Sequence, residues 1–427
     1  MIVRKIKQKI KHHDNQKKFI KCQDNIILLI SPTRAGKSEG MITKIIIDSY
    51  NIKGDTLVTA PVYRSLHTVL EEPIVQRLRD KNILKSYNKN LFAQLINGNT
   101  IHFRSALDPD ISFRGLNIKK IFIDEATLIS EYAFDILLGR MSYDDSQIVL
   151  TGTPKGKNNW VYKRFFAEGN NDKVTYIRYN IRDNPIISDK IIKRWKESFD
   201  IKLFEQEIDG KWVTLYQDQV YHAWAEECID NKAVYNPNLQ VYVGVDFNIN
   251  KNPWAAMQKY PDRTIKVFKT GMGTKTTPDM GRQIIQQLGN DVYIIPDATG
   301  GAREKGSGHT QFQLLKQAGL KHISTNKSNP LRTERISIVN ALLTNAIGQH
   351  LLRIHPSCKE LIQELRDISY KKELVGDIDT QNGEVGHLTD ALGYPCFHLT
   401  KGNVKKIRQV EYDTLGRIKQ MKYPTFM

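Results

Sequence analysis

The chain has 427 residues, more than one hydrophobic core usually organises, so we expect two domains. Its 63 Lys and Arg against 46 Asp and Glu give a net charge of +17, which favours a polyanionic partner such as nucleic acid, although a soluble basic protein without one stays an alternative. Four scattered cysteines, no apolar run of 18 residues and no signal-peptide core exclude a zinc pattern, a disulfide framework and a membrane segment, so we expect a soluble intracellular protein.

The first half of the chain reads as an α/β domain. Met1–Lys21 places Ile2, Ile6 and Ile10 four residues apart among basic residues, which predicts a short amphipathic helix. From residue 26 to about 180, β-rich runs alternate with helix-length segments, which predicts a parallel sheet flanked by helices. The predicted strands are Ile26–Ile30, Thr56–Ala60, Thr100–Phe103, Lys120–Ile123, Gln147–Thr151 and Val174–Tyr179.

A phosphate-binding loop is predicted between the first strand and a helix over Glu39–Tyr50. Its residues are Ser31, Pro32, Thr33, Arg34, Ala35, Gly36, Lys37 and Ser38. Gly36, Lys37 and Ser38 match the pattern G-x-x-x-x-G-K-[ST], whereas Ser31 stands at the position of the first Gly. In this pattern the helix N-terminus and the lysine bind the phosphates of ATP, and the hydroxyl binds Mg²⁺.

Two adjacent carboxylates follow the apolar strand Lys120–Ile123. Asp124 can hold Mg²⁺ through water while Glu125 orients the attacking water, although a pair of surface acids at a strand end is the alternative. The next strand ends at Thr151, whose hydroxyl could sense the γ-phosphate. Because the carboxyl ends of parallel strands share one edge of the sheet, these side chains and the loop are expected to meet there.

Phosphoryl transfer also needs a cation against the charge that develops on the γ-phosphate. Arg34, inside the loop, and Arg140, after the acidic pair, are the candidates, and each could instead be an ordinary surface or structural arginine. Gln16, which precedes the loop in sequence, is a weaker candidate for a residue whose side-chain amide recognises adenine by hydrogen bonding.

The pattern loosens around Gly210–Asp218, where we place a linker. The predicted organisation is a first domain at 1–210, a linker at 211–235, a smaller mixed α/β domain at 236–400 and a basic tail at 401–427. The predicted strands of the second domain are Gln240–Asp246, Ala255–Gln258, Thr264–Lys269 and Asp291–Ile295.

Three aspartates of the second domain could form a nuclease site. Asp246 and Asp297 each end an apolar strand, and Asp390 lies on a helix whose apolar residues face the sheet. Three converging carboxylates need divalent cations, so they predict a two-metal phosphodiesterase that uses Mg²⁺ or Mn²⁺. Strand-end caps are the alternative for each aspartate, and His387 or an acid within Asp377–Glu384 is an alternative third ligand.

The surroundings of this site are also predicted. Glu373–His387 reads as a hairpin or flexible loop before Asp390. The candidate phosphate contacts near it are Lys327, Arg332, Arg335, Lys371 and Lys372.

Taken in order, these motifs resemble the large terminase subunits of tailed double-stranded DNA bacteriophages over roughly residues 26–400. Besides the sites above, the motifs that carry the resemblance are Ser112-Phe113-Arg114-Gly115-Leu116, Thr151-Gly152-Thr153-Pro154, Asp183-Asn184-Pro185 and Glu207-Ile208-Asp209-Gly210. The resemblance implies an ASCE-type P-loop ATPase with a parallel-rich sheet, joined to an RNase H-like nuclease. In it Lys37, Ser38, Asp124 and Glu125 take the ATPase roles, and Asp246, Asp297 and Asp390 bind metal.

The resemblance also implies partners and a location. These are double-stranded DNA, a small terminase subunit and the portal protein of the procapsid, with a homo-oligomeric ring on the portal and a monomer when alone. The expected location is the host cell cytoplasm, with transient docking on the viral procapsid and no membrane. Two other functions stay open: an ATP-dependent helicase or repair nuclease, and a non-catalytic DNA-binding scaffold at the portal vertex.

Overall fold

The computed structural model describes residues 12–167, 174–215, 219–247, 251–302, 308–325, 328–371, 378–379 and 386–400. The predicted basic N-terminal helix over Ile2–Ile10 and the basic tail lie outside these residues, as does nearly all of the predicted hairpin before Asp390. Within them, no helix is both long and apolar enough to cross a membrane.

The chain divides into two compact units. The first takes the described residues up to Asp189 together with Glu205–Thr214, and the second takes Lys190–Phe204 together with the described residues between Leu215 and Thr400. The first unit is therefore interrupted along the sequence, whereas the predicted organisation placed the domains one after the other. The predicted boundaries at 210 and 235 stay a prediction.

The first unit is built on an eight-stranded sheet in the order β3-β4-β5-β2-β6-β7-β1-β8. Its strands are β1 Ile26–Ile30, β2 Thr56–Ala60, β3 Leu84–Asn88, β4 Phe92–Leu95, β5 Thr100–Ser105, β6 Lys120–Ile123, β7 Gln147–Gly152 and β8 Thr175–Tyr176. The six neighbouring strands β5, β2, β6, β7, β1 and β8 are all parallel, and the antiparallel strands β4 and β3 extend the sheet beyond β5. The predicted strand Val174–Tyr179 is observed as the two-residue strand β8, and the β3–β4 hairpin was not predicted from the sequence.

Helices cover both faces of this sheet. They are α1 Asp14–Lys21, α2 Lys37–Asn51, α3 Tyr63–Leu66, α4 Glu72–Asp80, α5 Pro109–Ser112, α6 Glu131–Leu138 and α7 Trp160–Phe165, with a π-helical turn His67–Glu71 joining α3 to α4. The next helices along the chain are α8 Asp189–Ser198 and α9 Ile201–Glu207, and nearly all of α8 and the first four residues of α9 belong to the second unit. Ile27 and Leu29 of β1 pack into the core on one face, and Leu28 and Ile30 pack into the core on the other. Burial of both faces explains why this strand is a continuous apolar run.

Strand β7 lies between β1, which leads into the phosphate loop, and β6, which leads into Asp124. This is the ASCE-type arrangement that the sequence predicts. The loop and Asp124 therefore leave the sheet at the same edge, with Thr151 near the end of the strand between them.

The second unit has a six-stranded mixed sheet in the order β13-β12-β9-β10-β11-β14. Its strands are β9 Val241–Val245, β10 Trp254–Lys259, β11 Ile265–Gly271, β12 Tyr293–Pro296, β13 His322–Ile323 and β14 Leu352–Ile354. Its helices are α10 Thr277–Leu288, α11 Gln311–Gln317, α12 Arg332–Leu343, α13 Lys359–Asp367 and α14 His387–Thr400. β9, β10 and β11 form an antiparallel meander and β12 runs parallel to β9 on its other side, which is the predicted RNase H-like fold.

Candidate functional site

The phosphate loop turns through two residues with left-handed backbone. These are Arg34, at φ 59°, and Gly36, at φ 91°. Ser31 is not one of them, so a side chain is tolerated where the usual pattern has Gly. Ser31 is fully buried, and its hydroxyl accepts a hydrogen bond of 2.9 Å from the backbone N–H of Tyr179. The departure from the pattern therefore adds an anchor to the loop.

Lys37 begins helix α2 and its side chain folds back under the loop. The Nζ atom donates to the carbonyl oxygens of Ser31 at 2.9 Å and Pro32 at 2.7 Å, and to Oγ1 of Thr153 at 3.2 Å. Burial lowers the pKa of Lys37, while Glu125 and Asp124 act in the opposite direction. Ser38 follows in the first turn of α2. The ammonium group is thus fixed at a helix N-terminus, where an anion binds most readily.

Asp124 and Glu125 lie at the end of β6 in different environments. Oδ1 of Asp124 accepts a hydrogen bond of 2.7 Å from the hydroxyl of Thr151, which is fully buried. The hydroxyl of Thr151 is therefore engaged with this carboxylate, and its predicted sensing of the γ-phosphate stays a prediction. Glu125 has left-handed backbone at φ 50°, a strained conformation of the kind found at functional sites. Burial raises the pKa of both acids, and Asp124 raises that of Glu125 further.

Residues distant in sequence hold the outer turn of the loop. Gln16 donates to the carbonyl of Gly36 at 2.9 Å, and its amide oxygen accepts from the backbone N–H of His13 at 3.0 Å. Asn184, from the predicted Asp183-Asn184-Pro185 motif, donates to the carbonyl of Arg34 at 2.7 Å. The amide of Gln16 therefore supports the loop, and its proposed contact with adenine stays a prediction.

An ion pair beside the loop was not predicted from the sequence. Nζ of Lys155 lies 2.6 Å from Oε1 of Glu207, which is buried, and the carbonyl of Glu207 accepts from both N and Oγ1 of Thr33 at 2.9 Å. Burial opposes the ionised form of Glu207, but Lys155 and a hydrogen bond from Gln206 outweigh it, so the pKa of Glu207 lies below its ordinary value. The sequence feature that could have indicated this pair is the position of Lys155, two residues after Thr153 at the same strand end.

The two candidate arginines lie in different places. Arg34 is exposed on the loop itself. The carbonyl of Arg140 accepts from the N–H of Ile118, six residues before Asp124, at 3.0 Å. Six extended residues span roughly 20 Å, so Arg140 lies at the opposite edge of the sheet from the loop. Its predicted role therefore requires the site of a neighbouring subunit.

A cavity of about 390 Å³ adjoins the loop at Pro32. Its other lining residues are Asn15, Arg178, Tyr179, Asn180, Asp183, Ile208 and Asp209. It combines hydrogen-bonding side chains with an apolar wall, which suits a small polar ring system.

In the second unit, strand pairing and one glycine bring three carboxylates together. Asp246 and Asp297 follow the neighbouring strands β9 and β12, and the N–H of Asp297 donates to the carbonyl of Val245 at 3.0 Å. Helix α14 crosses β9 at Gly244, where a Cβ atom would lie 1.8 Å from the carbonyl oxygen of Ala391. This close approach places Asp390, the residue before Ala391, beside the strand ends.

Each carboxylate already has partners within the protein. Asp297 accepts from the N–H of Thr299 at 2.8 Å and from the side chain of Asn329 at 2.5 Å. Oδ2 of Asp246 lies 3.3 Å from the ring of His387. Oδ1 of Asp390 accepts from Arg335 at 2.8 Å.

The chemistry of this donor set fits a divalent cation, although its geometry is not that of a formed site. Burial raises the pKa of Asp246, with further contributions from Asp390 and Asp297 that His387 opposes. Mutual repulsion of this kind falls when a cation binds, and carboxylate oxygens suit Mg²⁺ or Mn²⁺. In the part of the chain that the structure describes, no group of three or more acidic, His or Cys side chains is placed to hold an ion as it stands.

One predicted phosphate contact is wrong. Arg335 is only 7% exposed and is paired with Asp390, so in this arrangement it cannot lie on a DNA-facing surface. Arg332 and Lys371 are accessible, whereas Lys327 and Lys372 lie outside the described residues.

Comparisons with known proteins confirm the resemblance predicted from the sequence. Residues 23–211 match the family described as phage terminase large subunit. The PBSX phage terminase large subunit of Bacillus subtilis (strain 168) is 25% identical over 145 residues, a match that spans 33% of this chain and 34% of that relative. The chain thus matches about a third of the length of this curated relative.

Solved structures extend the likeness of fold to both units. A large terminase from a thermophilic bacteriophage matches with a TM-score of 0.62 at 17% identity, covering 91% of this chain and 99% of that one. The same phage terminase in complex with ADP matches with a TM-score of 0.61 at 16% identity, covering 90% and 98%. At this level of identity the likeness is one of fold.

Proposed function

We propose that this chain is the motor subunit of a viral DNA-packaging machine, which hydrolyses ATP to move double-stranded DNA into a procapsid and cuts concatemeric DNA endonucleolytically. One observation carries the proposal: Lys37 is fixed under the loop by two carbonyls and Thr153, within electrostatic reach of Asp124 and Glu125. The similarity to phage large terminases supports it, and so does the combination of a P-loop fold and an RNase H-like fold in one chain.

For ATP hydrolysis we assign roles by position. Lys37 and the N–H groups at the start of α2 bind the β- and γ-phosphates, and Ser38 and Asp124 hold the Mg²⁺ that accompanies ATP. Glu125 orients the attacking water, and Arg34 or a neighbour's Arg140 stabilises the charge that develops on the γ-phosphate. The cavity beside Pro32 offers room for the base and sugar.

For DNA cleavage we assign Asp246, Asp297 and Asp390 as the groups that hold two Mg²⁺ or Mn²⁺ ions. When bound, two such ions supply an activated water and stabilise the leaving oxygen. The remaining work falls to the protein: β9 and β12 fix two carboxylates at adjacent strand ends, and α14 brings the third.

The proposed partners follow from the same function. They are double-stranded DNA, a small terminase subunit and the portal protein, with a homo-oligomeric ring on the portal and a monomer when alone. The basic net charge of +17 favours binding to the DNA backbone. The protein would work in the host cytoplasm, docked transiently on the procapsid.

Separate loss of the two activities tests the proposal. In the purified full chain, Lys37→Ala and Glu125→Gln should each abolish ATP turnover while plasmid nicking with Mn²⁺ persists, and Asp297→Asn should do the reverse. Lys53→Ala, which removes an exposed lysine away from the loop, serves as the matched control and should change neither activity.

Each competing function has its own signature. A scaffold would show neither ATP turnover nor nicking in the wild type. A helicase would separate the strands of a duplex in the presence of ATP, whereas the proposed motor moves the duplex intact.

A further inference from the structure

Helix α12 directs two arginines at the third carboxylate of the proposed nuclease site. Arg332 and Arg335 are three residues apart and so lie on the same face of the helix. Nη1 of Arg335 is 2.8 Å from Oδ1 of Asp390, and Nη2 of Arg332 is 3.6 Å from Oδ2. Both oxygens of Asp390 therefore face a guanidinium group.

The two arginines differ in how firmly they are held. Arg335 is buried, and its guanidinium carbon lies 4.2 Å from the ring centroid of Tyr394. Its alkyl chain also packs beneath Gly393, where an added Cβ would meet it at 3.4 Å. Breaking a buried pair leaves an uncompensated charge, so Arg335 stays with Asp390.

Arg332 is the weaker partner. It begins α12, and 41% of its side chain is exposed. A half-exposed pair at 3.6 Å contributes little to stability, because water screens it and the side chain keeps other conformations. Arg332 can therefore leave Oδ2 for another anion at low cost.

This arrangement explains why, among the residues that the structure describes, the three carboxylates converge without forming a ready metal site. A cation approaching Oδ2 of Asp390 meets Arg332 first, and like charges repel. A DNA phosphate near the start of α12 would attract the same arginine and uncover the oxygen.

We propose that Arg332 is a positioning residue that couples the two binding events: a DNA phosphate draws Arg332 away from Asp390, and the released carboxylate oxygen then takes the divalent cation. The proposal rests on the nuclease function proposed above. It predicts weak cation binding in the free protein and stronger binding on DNA.

Binding of Mn²⁺ tests the coupling without relying on cleavage. Free Mn²⁺ is counted by electron paramagnetic resonance in the full chain, with and without a short duplex whose phosphorothioate linkages resist cutting. The part of the binding that is lost in Asp297→Asn reports the nuclease site. In the wild type, DNA should strengthen this binding.

Arg332→Gln should strengthen Mn²⁺ binding without DNA by about tenfold, as expected for the loss of one nearby positive charge, and should shrink the gain that DNA brings. A purely structural role would weaken binding instead. Arg332→Lys, which keeps the charge, should behave like the wild type. Arg282→Gln is the matched control, since it removes an exposed arginine of the same unit that pairs with Asp279.

The outcomes separate the two proposals. If Asp297→Asn leaves all Mn²⁺ binding unchanged, the nuclease site itself is wrong. If Asp297→Asn removes the binding but Arg332→Gln matches the wild type with and without DNA, the nuclease site stands and the coupling is wrong.

Discussion

Replacing Gly244 with alanine tests how the nuclease site is positioned. The new methyl group would lie 1.8 Å from the carbonyl oxygen of Ala391 and 2.6 Å from Cδ of Pro395. Ordinary van der Waals contact begins near 3.4 Å. Helix α14 must therefore move away by about 1.6 Å, the difference between this distance and the 1.8 Å to the oxygen of Ala391. Neither a backbone oxygen nor a proline ring can rotate aside, so Asp390 moves with the helix.

The expected effect on cleavage is large because the reaction depends on geometry. A misplacement of about 1 Å can cost about 10²-fold in rate, so plasmid nicking by Gly244→Ala should fall by about 10²-fold or more. Overpacking of this kind also costs about 1–3 kcal/mol of folding stability. ATP turnover should persist, since Gly244 and α14 belong to the second unit.

The assay compares Mn²⁺-dependent nicking, ATP turnover and thermal unfolding of the same preparations. Gly273→Ala is the control: its backbone at φ 87° strains an alanine, but nothing lies within 4 Å of the added Cβ. It should lose stability while keeping its nuclease activity. Wild-type cleavage by a folded Gly244→Ala protein would refute the reasoning that α14 delivers Asp390 to the strand ends.

Three further predictions concern the first unit and DNA. Arg140→Ala should lower ATP turnover by about 10³-fold or more while nucleotide still binds, and mixing it with Glu125→Ala should restore some activity; no restoration in any mixture would favour Arg34. Glu207→Gln should lower the free energy of unfolding, measured in urea, by about 1–3 kcal/mol. Because the pKa of Glu207 is depressed, the stability from its pair with Lys155 is present above the ordinary value of 4.5 and is lost as pH falls through the folded pKa, so wild type and variant should converge in acid. Binding of duplex DNA should weaken with salt, log K falling by about 0.9 per neutralised phosphate per decade, with little sequence preference. A salt-insensitive, sequence-specific complex would contradict it.

Elements with strong local patterns could be predicted from the sequence. Strands β1, β2, β6 and β7 are buried on both faces and are rich in apolar residues. Their positions and their parallel pairing could therefore be predicted from the sequence. The β3–β4 hairpin could not be predicted, because β3 is largely exposed and polar and gains its pairing from the edge of the sheet. Strands β8 and β13, with two residues each, exist only through their neighbours.

The candidate sites divide in the same way. Lys37, Asp124 and Asp246 could be found because a strand end or a loop spacing locates them along the chain. The ion pairs Lys155–Glu207 and Arg335–Asp390 could not be found in this way, since their members lie 52 and 55 residues apart. Such pairs depend on how helices pack, so a single-sequence pattern can at most mark one member, as the position of Lys155 after Thr153 does, and cannot identify its partner. This is why Arg335 was expected on the surface.

The two candidate sites place positive charge beside their carboxylates in different ways, and the difference suits the proposed function. In the first unit, Lys37 is fixed by carbonyl oxygens and does not depend on its anionic ligand for its position. A site that turns over ATP repeatedly gains from such preorganisation, because no rearrangement is needed in each cycle. In the second unit, Arg332 and Arg335 occupy the carboxylate oxygens that a cation would need. In the proposed nuclease, a cation site that is disfavoured until a phosphate displaces Arg332 would stay unloaded while no DNA phosphate lies at the start of α12, so cleavage would require a duplex seated at this helix.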